Sequence, residues 1–205
     1  MESTSNNYQK IIFNKIDKMP YGTIISSCNF KQIAKNKTIN KILSRIEEQG
    51  KIKKIIQGIY YKPKYNKIIN EYSEPKMDDV ARALAAKNNW KISPSGNNAL
   101  NILHLSTQVS NTLYYISSGP YKEYDINGIK IYFKRVKQRD IINIHDITIL
   151  VIQAIKTLGE DNIGDKEINI LKKELSYEDK KIILKESEKT ANWIYEIIKK
   201  ICNEV

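Results

Sequence analysis

Cysteines, long apolar runs and targeting signals are scarce in this chain of 205 residues. Its two cysteines, Cys28 and Cys202, belong to no CxxC or Cys/His cluster, which excludes zinc fingers, iron–sulfur clusters and a disulfide scaffold. The longest uncharged run of the most apolar stretch is residues 147–155, whereas a membrane helix needs about 20 apolar residues. The N-terminus has no basic segment followed by an apolar core. We therefore expect no membrane span, no secretory signal and a cytoplasmic location.

Motifs for catalysis and cofactor binding are also missing. The chain contains no GxxxxGK[ST], GxGxxG, HExxH or GxSxG, so we expect no catalytic residue, no metal site and no cofactor. Its only histidines have structural explanations, packing near a helix end for His104 and helix capping for His145. An enzyme such as a nuclease is the alternative, and its candidate residues would be Glu123, Asp125, Lys130 and Lys134. Their order lacks the acidic-x-Lys pattern that such a nuclease would place on its second strand.

Positive charge is abundant and unevenly distributed. The net charge is +11, and residues 1–76 hold 15 basic and 6 acidic residues, or +9. Residues 77–205 hold 19 basic and 17 acidic residues, or +2. The abundance of Ile, Lys and Asn throughout would raise the lysine content, but it does not explain this asymmetry. A basic N-terminal segment beside a nearly neutral remainder indicates two domains, one of which contacts a polyanion.

The order of predicted elements in the first third is typical of a winged helix-turn-helix. Apolar periodicity predicts helices over residues 8–19, about 26–34 and 38–49, with Gly50 ending the third. A short β-branched segment follows the break at Pro20 and Gly22. Strands are predicted over 51–56 and 59–62, joined by a two-residue turn. We therefore predict an α+β protein whose residues 1–64 form a DNA-binding domain of this class.

The remaining residues predict a linker over 65–76 and a mixed α/β domain over 77–205. Helices are expected from Asp78, over 95–103 with Ser93-Pro94 as its start, and from Asp146. A strand is expected over 113–117, and a hairpin over 121–134 turns at Asn127-Gly128. A short helix over 165–174 precedes a long helix that begins with a capping box at Ser176. The second domain should therefore combine a small antiparallel sheet with C-terminal helices.

The third predicted helix has one apolar side and one polar side. With its isoleucines and Leu43 facing inward, Lys41 and Ser44 point outward, while Asn40 and Arg45 flank them. Cationic and amide side chains on such a face suit the major groove, and hairpin lysines suit the phosphate backbone. A solvated face with lysines is the alternative. The predicted DNA-binding residues are Lys37, Asn40, Lys41, Ser44, Arg45, Lys51, Lys53, Lys54 and Lys62.

Two stretches carry a family resemblance. Residues 43–52 read Leu-Ser-Arg-Ile-Glu-Glu-Gln-Gly-Lys-Ile, and residues 57–63 add Gln-Gly-Ile-Tyr-Tyr-Lys-Pro. Residues 92–109 read Ile-Ser-Pro-Ser-Gly-Asn-Asn-Ala-Leu-Asn-Ile-Leu-His-Leu-Ser-Thr-Gln-Val. Together they resemble the AbiEi-type antitoxin family of bacterial type IV toxin–antitoxin systems, over about residues 8–136. His104 departs from the pattern, since relatives often carry glycine there.

The resemblance implies a definite function. An antitoxin of this kind neutralises a nucleotidyltransferase-type toxin encoded beside it, and its winged helix represses the shared operon at inverted repeats in double-stranded DNA. Many such systems act in phage defence. Because one winged helix covers a short site, we expect weak or DNA-induced self-association on two half-sites. A transcriptional regulator without a toxin partner, or the DNA-acting enzyme considered above, are the alternatives.

Overall fold

A computed structural model describes residues 2–68 and 70–203 of the chain. Contacts divide the chain into two compact units, Met1–Asn89 and Trp90–Val205. The described residues form eight α-helices and nine β-strands, and the strands are arranged in three sheets. The prediction of an α+β protein is therefore confirmed at the level of fold class.

The first unit combines three α-helices with a three-stranded sheet and a separate two-stranded sheet. Its elements are α1 (Glu2–Lys18), β1 (Ile24–Ser26), α2 (Asn36–Glu48), β2 (Lys53–Ile56), β3 (Ile59–Tyr61), β4 (Tyr65–Asn66), β5 (Glu71–Tyr72) and α3 (Met77–Lys87). A 3-10 helix, Ser27–Phe30, follows β1. Strands β1 and β2 both pair antiparallel with β3, and β4 pairs antiparallel with β5.

The core of this unit is built largely from the predicted apolar stripes. Four residues of α2 are at most 1% exposed and pack with Ile12 of α1: Ile39, Ile42, Leu43 and Ile46.

The helix predicted over about residues 26–34 is wrong in length, because the 3-10 helix Ser27–Phe30 replaces it. At its start the Ser26 N–H donates to Asn29 Oδ1 at 2.8 Å, and Ser26 Oγ accepts from the Cys28 N–H at 3.3 Å. Such local side-chain bonds to the backbone compete with longer helices. The face of α2 opposite the stripe stays polar.

The structure moves the predicted domain boundary. Helix α3 packs against β1, β3 and the 3-10 helix, so it belongs to the first unit, whereas the sequence placed it in a domain starting at residue 77. The predicted linker over 65–76 contains the β4–β5 hairpin, closed by the Ser73 N–H donating to the Lys64 carbonyl at 2.9 Å. Apolar periodicity showed that α3 has a buried side, but not which unit covers it.

The second unit contains a four-stranded sheet and five helices within the described residues. Its elements are β6 (Ile92–Ser95), α4 (Gly96–Ile102), β7 (Thr112–Ser117), β8 (Lys122–Ile126), β9 (Ile129–Arg135), α5 (Asp146–Leu158), α6 (Asp165–Glu174), α7 (Tyr177–Glu186) and α8 (Asn192–Ile201). The strand order is β6-β7-β9-β8, and β7 runs parallel to β9. The predicted antiparallel sheet is therefore a mixed sheet, because the β8–β9 hairpin places its second strand beside β7.

Two further predictions for this unit need correction. Ser93 and Pro94 lie in β6 rather than at a helix start, and Pro94 is tolerated there because β6 is an edge strand. The long helix expected from Ser176 is two helices, α7 and α8, separated by a turn in which the Thr190 N–H donates to the Ser187 carbonyl. Its predicted capping box is confirmed, with the Asp179 N–H donating to Ser176 Oγ at 3.1 Å.

The helices of the second unit enclose their own apolar core. Leu171 and Ile198 are fully buried there, together with Val151 and Ala154 of α5. On the sheet, Phe133 is fully buried and contacts the rings of Trp90, Tyr115 and Tyr124.

Glu186, at the end of α7, caps the start of α5. Its carboxylate accepts hydrogen bonds from the His145 N–H at 3.0 Å and from Thr148 Oγ1 at 2.6 Å, and it lies 2.7 Å from His145 Nδ1. Burial raises the pKa of Glu186, but the hydrogen bonds from Thr148 and His145 outweigh it, so the net pKa lies below the ordinary value of 4.5. The carboxylate thereby joins α7 to α5.

We expect Glu186→Gln to lower the free energy of unfolding of the second unit by about 1–3 kcal/mol at neutral pH, since hydrogen bonds to a charged group are lost. Because the folded-state pKa is lowered, the stabilisation is present above pH 4.5 and is lost as the pH falls through the folded-state pKa. Urea unfolding of the wild type and the variant at pH 7 and at pH 3 measures the loss of stability and its dependence on pH. The exposed Glu188→Gln is the control, and an equal wild-type advantage at both pH values would contradict the assignment.

Candidate nucleic-acid interface

The polar face of α2 presents a compact set of hydrogen-bonding side chains. Lys37, Asn40 and Lys41 are exposed, and they lie across the helix from the buried isoleucine stripe. Arg45 is also exposed, and its Nη1 donates to Oε1 of Gln9 on α1 at 3.5 Å. The structure therefore brings together four of the five predicted residues of this helix, all cationic or amide.

Ser44 does not point outward as predicted. It is half-buried, and its Oγ lies 3.4 Å from the hydroxyl of Tyr60 on β3. Tyr60 is itself 3% exposed, so this hydroxyl pair joins α2 to the sheet. The prediction was wrong because helical periodicity gives the direction of a side chain relative to its own helix but not the position of the neighbouring sheet.

The lysines predicted around the β2–β3 hairpin fall into two groups. Lys51 and Lys54 are exposed. Lys53 is half-buried, with its Nζ 3.5 Å from the centroid of the Tyr72 ring. Lys62 donates from its Nζ to the carbonyls of Asp17 at 2.6 Å and Met19 at 2.9 Å.

The contacts of Lys62 belong to the end of α1. Carbonyl groups in the last turn of a helix have no partner within the helix, and a cation there also interacts favourably with the helix dipole. Lys62 therefore satisfies α1 instead of facing solvent, and we leave it out of the interface. The sequence alone could not predict this role, because Lys62 lies more than 40 residues from both carbonyls in the chain.

Some polar groups near this surface were missed by sequence reasoning. A shallow depression of about 400 Å³ beside Arg45 is lined by Gln9, Lys10, Phe13 and Gln49. Lys87, at the end of α3, donates from its Nζ to the carbonyl of Gln57 in the β2–β3 turn at 2.7 Å. The apolar periodicity of α1 could have identified Gln9 and Lys10 as exposed, since both fall outside its apolar face. No sequence pattern indicates the contact of Lys87, because its partner lies 30 residues away in the chain.

The two carboxylates considered for a nuclease in the second unit are engaged in structural contacts. Glu123 accepts a hydrogen bond from the Tyr132 hydroxyl at 3.1 Å, and Asp125 accepts one from the Gly128 N–H at 3.0 Å. Among the described residues, no group of three His, Cys, Asp or Glu side chains is placed to hold a metal ion.

Of the two histidines, one has the structural role that the sequence predicted and the other does not. His145 is the N-cap residue of α5, as predicted. His104 is not a packing residue: its side chain is 69% exposed, its φ is +55°, and its Nε2 lies 3.7 Å from Glu174. The chain ends α4 with a left-handed residue here, a conformation for which glycine is the usual choice. This position is the one that departs from the antitoxin pattern.

Most of the excess positive charge lies in the first unit. Residues 1–89 hold 17 basic and 8 acidic residues, a net charge of +9, against +2 for residues 90–205. The relocated boundary therefore leaves the asymmetry intact. No helix within the part of the chain that the structure describes has the length and apolar character needed to cross a bilayer.

Comparison with known proteins gives one family. No curated protein matches the sequence. The model of a family of unknown function, DUF6088, matches residues 11–183. This match includes α2, the β2–β3 hairpin and the whole four-stranded sheet. Because it covers well over half of the 205 residues, the chain belongs to the DUF6088 family.

Proposed function

We propose that the first unit is a winged-helix domain that binds double-stranded DNA. The observation that carries this proposal is the exposed face of α2, where Lys37, Asn40, Lys41 and Arg45 lie opposite a fully buried stripe. Arginine and lysine can donate to guanine O6 and N7, and asparagine can pair with adenine N6 and N7. In this arrangement α2 enters the major groove.

The surrounding elements support the same arrangement. The order α1, β1, 3-10 helix, α2, β2, β3 places a two-stranded hairpin directly after the proposed recognition helix. Exposed Lys51 and Lys54 lie at the start of this hairpin, where they would meet the phosphate backbone. A net charge of +9 on the unit would attract the duplex and make binding depend on salt.

The wider function follows the antitoxin resemblance. The chain would repress its own operon by binding inverted repeats, two copies at a time, and would neutralise a nucleotidyltransferase-type toxin through its second unit. Residues 92–109, which carry half of the resemblance, form β6, α4 and the segment after it, all within that unit. The two activities would then reside in separate units.

Removing Lys41 should weaken operator binding. We expect Lys41→Ala and Arg45→Ala each to cost about 1–3 kcal/mol on the operator and to relax sequence preference, if these side chains contact bases. Gel-shift titration against the inverted repeats upstream of the gene, with an unrelated duplex alongside, measures both effects.

Lys62→Met is the matched charge control, because it also removes one cation from the first unit. The ammonium of Lys62 is held by the carbonyls of Asp17 and Met19 at the end of α1, so this variant should unfold at a lower temperature while retaining operator preference. Failure of the full chain to bind any duplex at low salt would refute the proposed function. Equal losses for Lys41→Ala and Lys62→Met would refute the assignment of α2 as the reading helix.

A further inference from the structure

The turn of the β2–β3 hairpin has no cation in its own sequence. Residues 55–61 read Ile-Ile-Gln-Gly-Ile-Tyr-Tyr. Exposed Lys54 precedes the turn residue Gln57 by three positions, or about 10 Å along an extended chain. Lys53 is nearer the hairpin base and lies over the Tyr72 ring. A turn that approaches a phosphate backbone would therefore need a positive charge from another element.

Lys87 of α3 supplies a positive charge at this turn. Its Nζ donates to the Gln57 carbonyl at 2.7 Å. The same atom would lie 3.0 Å from a Cβ placed on Gly58, whose φ is +78°. Lys87 is exposed, and its hydrogen-bond partner is a neutral carbonyl oxygen, which does not cancel the charge. An ammonium has three N–H donors, so donors remain for an anion.

The end of α3 is held in place beside the hairpin. The Cys28 thiol, in the 3-10 helix after β1, donates to the Ala86 carbonyl at 3.7 Å. Asn88 Nδ2 donates to the Leu84 carbonyl at 2.8 Å, which closes the last turn of α3 itself. Helix α3 also packs on β3, the second strand of the hairpin. The ammonium is therefore positioned by the helix, the sheet and the turn together.

We infer that Lys87 is the residue through which the β2–β3 turn contacts a DNA phosphate. This inference rests on the proposed DNA-binding function and extends the interface to an element outside the helix-and-hairpin motif. The contact would be independent of sequence, because a phosphate carries no base information. Lys87 would thus set affinity, while α2 sets preference.

Three full-length variants distinguish two roles of Lys87: supplying positive charge to a phosphate, and stabilising the turn through its bond to Gln57. Lys87→Met removes the ammonium and keeps an unbranched apolar stem. Lys76→Met removes an exposed lysine from the N-cap position of the same helix, about 16 Å away along its axis. The double variant Lys87→Met with Gln57→Lys returns a cation to the turn from the hairpin itself.

The affinity of each variant is measured for an operator duplex and for an unrelated duplex from about 50 to 200 mM salt, and a thermal unfolding curve is recorded for each variant. For Lys87→Met we expect weaker binding to operator and unrelated duplexes alike, and a log–log salt slope smaller by about 0.9. Lys76→Met should keep the wild-type slope, and the double variant should recover it.

The outcomes are distinct. If the wild-type chain binds no duplex, both the proposed function and this inference fail. If the wild type binds and Lys87→Met keeps its affinity and slope, this inference alone fails. If Lys87→Met binds more weakly with an unchanged slope that Gln57→Lys does not alter, Lys87 only braces the turn and the phosphate contact is refuted.

Discussion

Residues 1–64 expressed alone should neither fold cooperatively nor bind duplex DNA at 100 mM salt, whereas residues 1–89 should do both. The shorter fragment contains α1, α2 and the three-stranded sheet but lacks α3. In the full chain α3 buries five apolar side chains, and the helix covers β1, β3 and the 3-10 helix. Without α3, that side of the sheet would face water.

The expected loss is comparable to the stability of the whole unit. Burial of a Val, Leu or Met side chain contributes roughly 1.5–3 kcal/mol, and α3 buries one of each: Val80, Leu84 and Met77. Small domains are stable by only about 5–15 kcal/mol in total. Removing this helix should therefore unfold the fragment, and the binding affinity should fall by more than about 100-fold, which corresponds to about 2.7 kcal/mol.

Circular-dichroism melting curves and gel shifts of the two fragments measure the effect. A third fragment, residues 1–76, keeps the β4–β5 hairpin and lacks α3, so it tests whether the helix or the hairpin is required. We expect it to behave like residues 1–64. A folded, DNA-binding 1–64 fragment would show that α3 is dispensable and that the sequence-based boundary is the functional one.

The position of α3 illustrates what the sequence could and could not predict. Its apolar side was evident, because Val80, Ala81, Leu84 and Ala85 recur at helical spacing. Its partner was not, because periodicity identifies a buried face without identifying what covers it. The parallel pairing of β7 with β9 was missed for the same reason. The Asn127-Gly128 turn predicted the β8–β9 hairpin but not which of its strands joins β7.

The candidate interface was predictable to a similar degree. The exposed side of α2 follows from the geometry of a single helix, so Lys37, Asn40, Lys41 and Arg45 are found where the sequence placed them. Ser44 and Lys62 were misplaced because their partners, Tyr60 and the α1 carbonyls, lie on other elements. Lys87 was missed because its contact with Gln57 is made entirely by tertiary structure.

The proposed antitoxin activity predicts an all-or-none result in cells. Residues 90–205, co-expressed with the nucleotidyltransferase-type toxin that the proposal assigns as partner, should restore growth as fully as the whole chain. This fragment keeps the four-stranded sheet and the helical core around Leu171 and Ile198, so it retains what a domain needs to fold alone. The full chain carrying Lys41→Ala and Lys87→Met should also rescue growth, because the proposed neutralising unit is unchanged.

A matched pair of variants links the rescue to the folded second unit. Leu171→Asp places a carboxylate where the side chain is 0% exposed, and burying an unpaired charge should unfold the fragment and abolish rescue. Lys173→Asp places the same residue at an exposed position of the same helix, and it should rescue normally. Rescue by residues 1–89 instead would assign neutralisation to the first unit. No rescue by the well-expressed full chain would favour a DNA-binding regulator without a toxin partner, because neither unit would then neutralise the toxin.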